Sequence, residues 1–319
     1  MKAVDFTGEA VRLIDQSALP HKEQWIELKT VEGVATAIKE MKVRGAPAIG
    51  VAAAYGMVFA QDPEKEADIL KSARPTAVDL AHAVDFVLDM LRNGMNVIQA
   101  AAQWEKMNEE KCKKVSENGA TLIKDGQKIL THCNTGFLAA DAYGTALGAI
   151  ITAHKQGKKI HVYVDETRPR LQGAITSWEL LKENVPHHVI CDSSAGFLMK
   201  KDEIDSVMVG ADRIAANGDT ANKIGTYSLS VLAKEQWIPF YVLAPLSSFD
   251  AGIQNGEHIK VEERDEREVL EINGMRIYPE GAHAKNFAFD ITPARNITAF
   301  VNENGVFRGI EDVWKNTME

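Results

Sequence analysis

Cysteine is scarce in this chain: Cys112, Cys133 and Cys191 are the only three in 319 residues. An odd trio cannot make a disulfide framework, which fits a reducing compartment. Nothing resembles the paired-cysteine spacing of a zinc site. Long apolar runs are also missing. The least polar stretch, Gly45 to Ala60, is too short to span a bilayer and consists largely of small residues, so it reads as a buried core helix. The first ten residues, MKAVDFTGEA, lack the basic-then-apolar pattern of a secretion signal. The expectation is therefore a cytoplasmic protein with no membrane partner. Positive charge is in deficit, with 36 Lys and Arg against 45 Asp and Glu and a formal net charge of −9. That argues against a nucleic-acid partner held by the whole surface. There is no internal repeat, no low-complexity segment, no G-x-G-x-x-G after a strand, no complete P-loop and no G-x-S-x-G elbow.

What remains is an ordinary globular composition, 45% apolar and 25% charged, in a length suited to one large or two ordinary domains. The first third reads mainly as helix. Val31, Val34, Ala37, Ile38 and Met41 recur at helical spacing after Thr30, a candidate cap. Arg44-Gly45-Ala46-Pro47 breaks that helix, and a very apolar one follows from about Ala48. Ala77 to Leu91 and Asn96 to Gly119 are further amphipathic helices. Val11 to Thr30 alternates loosely enough for short strands.

Near Gly119 the pattern changes. Apolar β-type runs at Lys128–Cys133, Lys159–Asp165, His187–Cys191, Ser206–Gly210 and Pro239–Ala244 alternate with helical segments at Ala139–His154, Thr176–Glu183, Ala195–Lys201 and Ile224–Gln236. Continuous apolar strands separated by helices predict a parallel, doubly wound sheet. The expected fold is thus α/β: a C-terminal, Rossmann-like, mostly parallel sheet over residues 121–319, with a smaller, mainly helical N-terminal domain over residues 1–120. Glu257 to Glu271 is charge-dense with mixed sign and reads as a solvated segment.

Ligands of open α/β sheets bind beyond the carboxyl ends of the strands. The residues following the strands are therefore the ones to inspect, and polar and glycine-rich sequence clusters there. Cys133, at a strand end before a helix, is either a small buried hydrophobe or a thiol poised as thiolate. Cys112 and Cys191 read as structural. Asp212 is either a turn carboxylate paired with Arg213 or a buried general acid or base. Asn222 and Lys223, ahead of a helix, can hold an anion, with Gly225 and Thr226 letting the backbone come close; the alternative for Lys223 is a surface charge. Arg44 and Gly45 at a helix start can bind phosphate, or simply form a helix–helix turn. Arg74, with Pro75 and Thr76, can add a second guanidinium or merely cap the next helix. His187-His188 lies in a strand, where adjacent side chains diverge, so no metal site is expected there.

The motifs RGAPAIG, ARPTA, THCNTG, YGTALG, ETRPRLQG, GADRI with NGD and NKIGT, FYVLAPLSSFD and FDITP run in order from Arg44 to Pro293. In this combination the chain resembles the methylthioribose-1-phosphate isomerase family. That family is related to ribose-1,5-bisphosphate isomerase and to the regulatory subunits of the translation-initiation guanine-nucleotide exchange factor. One departure is Asn286-Phe287-Ala288-Phe289-Asp290, where the family pattern has proline second. The resemblance implies conversion of 5-methylthioribose 1-phosphate to 5-methylthioribulose 1-phosphate in methionine salvage. It implies Cys133 and Asp212 as the catalytic pair. Arg44, Gly45, Ala46, Arg74, Gln172, Asn222 and Lys223 would hold the phosphate and hydroxyls of the small-molecule sugar phosphate. It implies no metal, no cofactor and a homodimer. The alternatives within the same likeness are an isomerase of 5-deoxyribose 1-phosphate or ribose 1,5-bisphosphate, and a non-catalytic regulatory subunit.

Overall fold

The computed structural model describes residues 2–74 and 78–318. The chain forms two compact units, residues 1–117 with 135–149, and residues 118–134 with 150–319. The partition is therefore not a single cut near residue 120, because a short segment beyond it groups with the N-terminal unit. The contacts explain this grouping. Gln16 Nε2 donates to the Leu138 carbonyl at 2.7 Å, and the buried Asp141 carboxylate accepts the N–H groups of Ala3 and Val4 at 3.0 and 2.6 Å.

The N-terminal unit begins with an antiparallel sheet of β1 (Val4–Phe6), β2 (Val11–Ile14) and β3 (Trp25–Leu28). The helices α1 (Val31–Lys39), α2 (Ala46–Gly56), α3 (Pro63–Ala73), α4 (Val78–Arg92) and α5 (Val97–Ala120) follow. Thr30 caps α1 as expected, its side chain accepting the Gly33 N–H at 3.0 Å. Every residue of α2 from Ala48 to Gly56 is buried, as its small, apolar sequence requires. Pro75, Thr76 and Ala77, expected at the start of the next helix, lie outside the described residues.

The second unit is built on a seven-stranded sheet. Its strands are β4 (Lys128–Thr131), β5 (His161–Asp165), β6 (His187–Ile190), β7 (Ser206–Val209), β10 (Phe240–Leu243), β15 (Ala299–Asn302) and β16 (Gly305–Phe307). Between them run α6 (Phe137–Ala140), α7 (Ala146–Lys155), α8 (Gln172–Lys182), α9 (Ala195–Lys200) and α10 (Thr226–Glu235), of which α6 and the start of α7 belong to the N-terminal unit. The helix expected over 139–154 is two helices, because Asp141 (φ 64°) and Gly144 (φ 91°) break it in the left-handed region. A β-carbon on Gly144 would lie 2.7 Å from the Thr135 carbonyl oxygen, so only glycine fits there.

A side sheet of β8 (Arg213–Ala215), β9 (Thr220–Lys223), β11 (Phe249–Asp250) and β14 (Phe289–Thr292) and a hairpin of β12 (Glu271–Ile272) and β13 (Met275–Arg276) were not legible in the sequence. The short α11 (Arg267–Leu270) and the final α12 (Ile310–Met318) complete the unit.

The order of the large sheet is β16-β15-β10-β7-β4-β5-β6, parallel throughout except for β16. From β4 the chain proceeds outward through β5 and β6, then returns to the other side of β4 for β7, β10 and β15. This is a doubly wound sheet, and its direction of winding reverses between β4 and β7. In such sheets the crevice beyond the carboxyl ends of the two strands at the reversal is where ligands bind.

Candidate active site at the switch point of the sheet

Thr131 of β4 pairs with Met208 of β7. Cys133 follows β4 and Asp212 follows β7, so the two strands flanking the reversal deliver a thiol and a carboxyl to the same end of the sheet. Lys223, the last residue of β9, is buried. Burial lowers its pKa, and the charges of Cys133 and then Asp212 oppose that shift. One ammonium group therefore lies within electrostatic range of both. It donates to the Ala288 carbonyl at 2.9 Å and sits 5.6 Å from the Phe289 ring centre. The reading of Lys223 as a surface charge is thus excluded. Asn222 beside it is also buried, donating to the Thr226 hydroxyl at 3.0 Å.

Backbone geometry around Cys133 is unusual. Its φ is 67°, and Thr167, just beyond β5, has a φ of 61°. Left-handed backbone is uncommon for any residue with a β-carbon and an outlier for a β-branched one. The strain is held by hydrogen bonds. Cys133 N–H donates to Thr167 Oγ1 at 2.9 Å, Thr167 Oγ1 donates to the Asp165 carbonyl at 3.0 Å, and Thr176 Oγ1 donates to the Cys133 carbonyl at 2.8 Å. Asn134 is anchored next door to the buried Glu179 carboxylate at 2.8 Å. Strain of this kind collects at functional sites. Cys133 is half-buried, Cys112 is buried and Cys191 is exposed.

Gln172 opens α8, and its Oε1 is a buried oxygen with no hydrogen-bond partner. Such an acceptor is costly unless something else satisfies it. Arg170, two residues earlier, was missed by the sequence reading although it lies inside the ETRPRLQG run. Burial pulls its guanidinium below the usual value, opposed by Glu268 and then by Cys133. Arg264, within the run read as merely solvated, bears on both Lys223 and Arg170, and its side chain is only 10% exposed. Charge density masked it in the sequence.

Two expectations are corrected. Asp212 is exposed, so burial is not available to tune it as an acid. The N-terminus of α10 is no anion site either. Its Gly225 and Tyr227 N–H groups donate to the Asp290 carboxylate at 2.7 and 3.0 Å, a neighbouring charge that complements the helix dipole from within the chain. Gly225 is required for another close approach, since a β-carbon there would lie 3.0 Å from the His132 ring.

His132, Asp165 and Asp192 offer ligand atoms within 4.8 Å of one another. Protein groups already engage them. His132 Nδ1 lies 2.9 Å from Asp165 Oδ2 and Nε2 lies 2.8 Å from the Ile224 carbonyl oxygen, while Asp192 accepts the Thr167 and Arg168 N–H groups at 2.8 Å each. The cluster is a hydrogen-bonded framework beneath the site. Burial lowers the pKa of His132, but its bond to the Asp165 carboxylate and the carbonyl of Ile224 outweigh that effect and leave it above the ordinary imidazole value.

In the N-terminal unit, Arg44 Nε donates to the Met41 carbonyl at 3.1 Å. Gly45 holds a φ of 87°, with its would-be β-carbon 2.1 Å from the Ala139 carbonyl oxygen. Ala46 starts α2, and Arg74 ends α3 as its C-terminal cap. The phosphate-binding role expected of these four stands on the motif alone.

A sheet wound both ways, with a strained thiol and a carboxyl beyond the strands at its reversal, defines a ligand-binding α/β protein of the kind that handles small charged molecules. The chain belongs to the Initiation factor 2 subunit family, whose model matches residues 21–309. It is 52% identical over 97% of its length to the methylthioribose-1-phosphate isomerase of Aquifex aeolicus, covering 69% of that protein. It is 53% identical over 94% of its length to the putative methylthioribose-1-phosphate isomerase of Methanocaldococcus jannaschii, covering 92% of that protein. Among solved structures, the 5-methylthioribose 1-phosphate isomerase of Pyrococcus horikoshii superposes with a TM-score of 0.92 at 37% identity, with 99% of this chain and 96% of that one covered. The A. fulgidus protein described as the delta subunit of translation initiation factor eIF-2B gives 0.91 at 38% identity over 100% of both chains.

Proposed function

We propose that this protein is an aldose–ketose isomerase that converts 5-methylthioribose 1-phosphate to 5-methylthioribulose 1-phosphate in methionine salvage. The observation that carries the reading is the pairing of β4 with β7 at the winding reversal, which brings the Cys133 and Asp212 positions to one end of the sheet, in a chain about half identical to relatives of that name. The chemistry accounts for the residue types. Phosphate on C1 blocks spontaneous opening to a free aldehyde. The bond from C1 to the ring oxygen must break with phosphate retained, and a hydrogen must move from C2 to C1. Asp212 protonates the departing ring oxygen or takes the proton of the C2 hydroxyl, and Cys133 serves the hydrogen shift between C2 and C1. Lys223, Asn222, Gln172, Arg44, Gly45, Ala46 and Arg74 bind phosphate and hydroxyls.

The same reading makes the protein a homodimer acting in a reducing compartment such as the cytoplasm. Among the described residues no helix is long and apolar enough to cross a membrane. The test is turnover by the purified protein of 5-methylthioribose 1-phosphate, 5-deoxyribose 1-phosphate and ribose 1,5-bisphosphate. The methylthio sugar should give the highest kcat/KM. Preference for either other sugar would move the assignment to that isomerase. Turnover of none, together with tight binding to an initiation-factor assembly, would favour the regulatory role that the likeness to the A. fulgidus chain raises.

A further inference from the structure

Resting on that reading, we propose that His132 is a positioning residue of the isomerase, a clamp whose Nε2–H fixes the end of β9, which carries Asn222 and Lys223, against the segment after β4 that carries Cys133. Asp165 holds the other ring nitrogen and so orients that N–H toward its acceptor.

Connectivity makes the case. His132 precedes Cys133 directly in the chain, and the Ile224 carbonyl that it bonds follows Lys223 directly. A single imidazole thus ties the thiol-bearing segment after β4 to the ammonium-bearing end of β9, each one residue from the group it holds. The ring has no freedom to do otherwise: its side chain is 1% exposed and the Asp165 side chain is fully buried. A β-carbon on Gly225 would lie 3.0 Å from the ring, tighter than most such contacts.

The proton's position follows from the partners. A backbone carbonyl carries no hydrogen to donate, so the 2.8 Å contact requires a proton on Nε2. The second ring nitrogen faces a carboxyl group at 2.9 Å. That group satisfies Nδ1 in either charge arrangement, as a carboxylate accepting from an imidazolium or as an acid donating to a neutral ring. Nε2–H is retained in both. A histidine so arranged cannot serve as a base through Nε2, so its part is to hold geometry. Asp165 Oδ1 has no partner, which leaves the carboxyl group committed to His132 and to no other side chain. Misplacing reacting groups by about 1 Å costs on the order of 100-fold in rate, which is the scale expected if the clamp opens.

Three variants and one spectrum test this. His132→Phe keeps the ring volume and loses the Nε2–H. Its kcat/KM should fall by about 100-fold, with the larger part in kcat, because Lys223 still meets substrate but is no longer aimed relative to Cys133. Asp165→Asn can donate its amide hydrogen to Nδ1 and so preserves Nε2–H; the loss should be at most about tenfold. Asp165→Leu offers Nδ1 nothing and leaves the ring without the bond that orients its Nε2–H toward the Ile224 carbonyl, and its loss should approach that of His132→Phe. A role in packing alone would not rank Asn above Leu in kcat while KM stays close. In the wild type, nitrogen-15 spectra of labelled histidine should show one ring with Nε2 protonated across the active pH range and coupled through the hydrogen bond to the Ile224 carbonyl carbon. A folded His132→Phe within twofold of wild type, equal losses in the two Asp165 variants, or an unprotonated Nε2 would overturn the clamp. Absence of turnover in the wild type would instead defeat the isomerase reading, and the spectrum would still decide the hydrogen bond.

Discussion

Cys133 and Thr167 lie just beyond the ends of neighbouring parallel strands, both hold left-handed backbone, and the N–H of one donates to the hydroxyl of the other at 2.9 Å. Neither residue type favours that conformation. The thiol is therefore presented by a strained turn, and the strain is fixed by a hydrogen bond from the adjacent strand.

A glycine at this position separates strain from chemistry. Left-handed backbone costs a residue with a β-carbon roughly 1–2 kcal/mol, and glycine loses about 0.5–1 kcal/mol of that relief to chain entropy. Cys133→Gly should therefore be at least as stable in thermal melts as Cys133→Ala. Both should lose nearly all turnover. Alkylation should inactivate the wild type, with protection by substrate.

Asp212 is exposed, so its substitution should leave the fold alone. Asp212→Asn should change stability by less than about 0.5 kcal/mol in urea titrations. It should lower kcat by roughly 100- to 10,000-fold, the usual worth of a general acid or base, with KM little changed. Wild-type kcat in this variant would remove Asp212 from the chemistry.

Lys223 carries a burial cost with a definite sign in pH. Its folded pKa is depressed by burial, so between that value and the ordinary lysine value the unfolded chain binds the extra proton. In that window stability rises with pH; below it the penalty is fully present. Lys223→Met should therefore melt higher than wild type at neutral pH. The difference should shrink as pH is raised through the folded pKa. The Ala288 carbonyl left behind still accepts the Ile224 N–H at 3.1 Å. Loss of the ammonium should raise KM for the sugar phosphate.

Gly45 tests the N-terminal unit by itself. Gly45→Ala would place a methyl 2.1 Å from the Ala139 carbonyl oxygen at a φ of 87°. The cost should exceed about 2 kcal/mol, readable as a lower urea midpoint. Arg44→Ala should preserve stability and chiefly raise KM, as expected of a group that grips phosphate in ground and transition states alike.

The five strands of the parallel sheet that were legible announced themselves by continuous apolar runs such as Ser206–Val209, all four residues of which are buried. What the runs could not give was their order. That β7 returns beside β4 depends on long-range pairing, and it is this pairing that brings Asp212 toward Cys133. The strands of the side sheet escaped for a local reason: Thr220–Lys223 reads as polar loop, yet all four residues are buried. Asn222 and Lys223 were legible through the NKIGT motif, whereas Arg264 was hidden in a run of mixed charge and His132 by its place within the run Lys128–Cys133 read as a strand. The choice between a turn carboxylate and a buried acid at Asp212, which is exposed, was open for the same reason, since burial is a property of packing and not of the residues beside it.

The most direct measurement follows the reaction itself. Purified protein is given 5-methylthioribose 1-phosphate deuterated at C2, and the product is read by proton and phosphorus NMR. The account predicts a 2-ketose with phosphate still on C1 and a newly formed bond to hydrogen at C1, in the wild type and not in Cys133→Ala or Asp212→Asn. Recovery of unchanged aldose from the wild type, or release of inorganic phosphate without ketose, would contradict it.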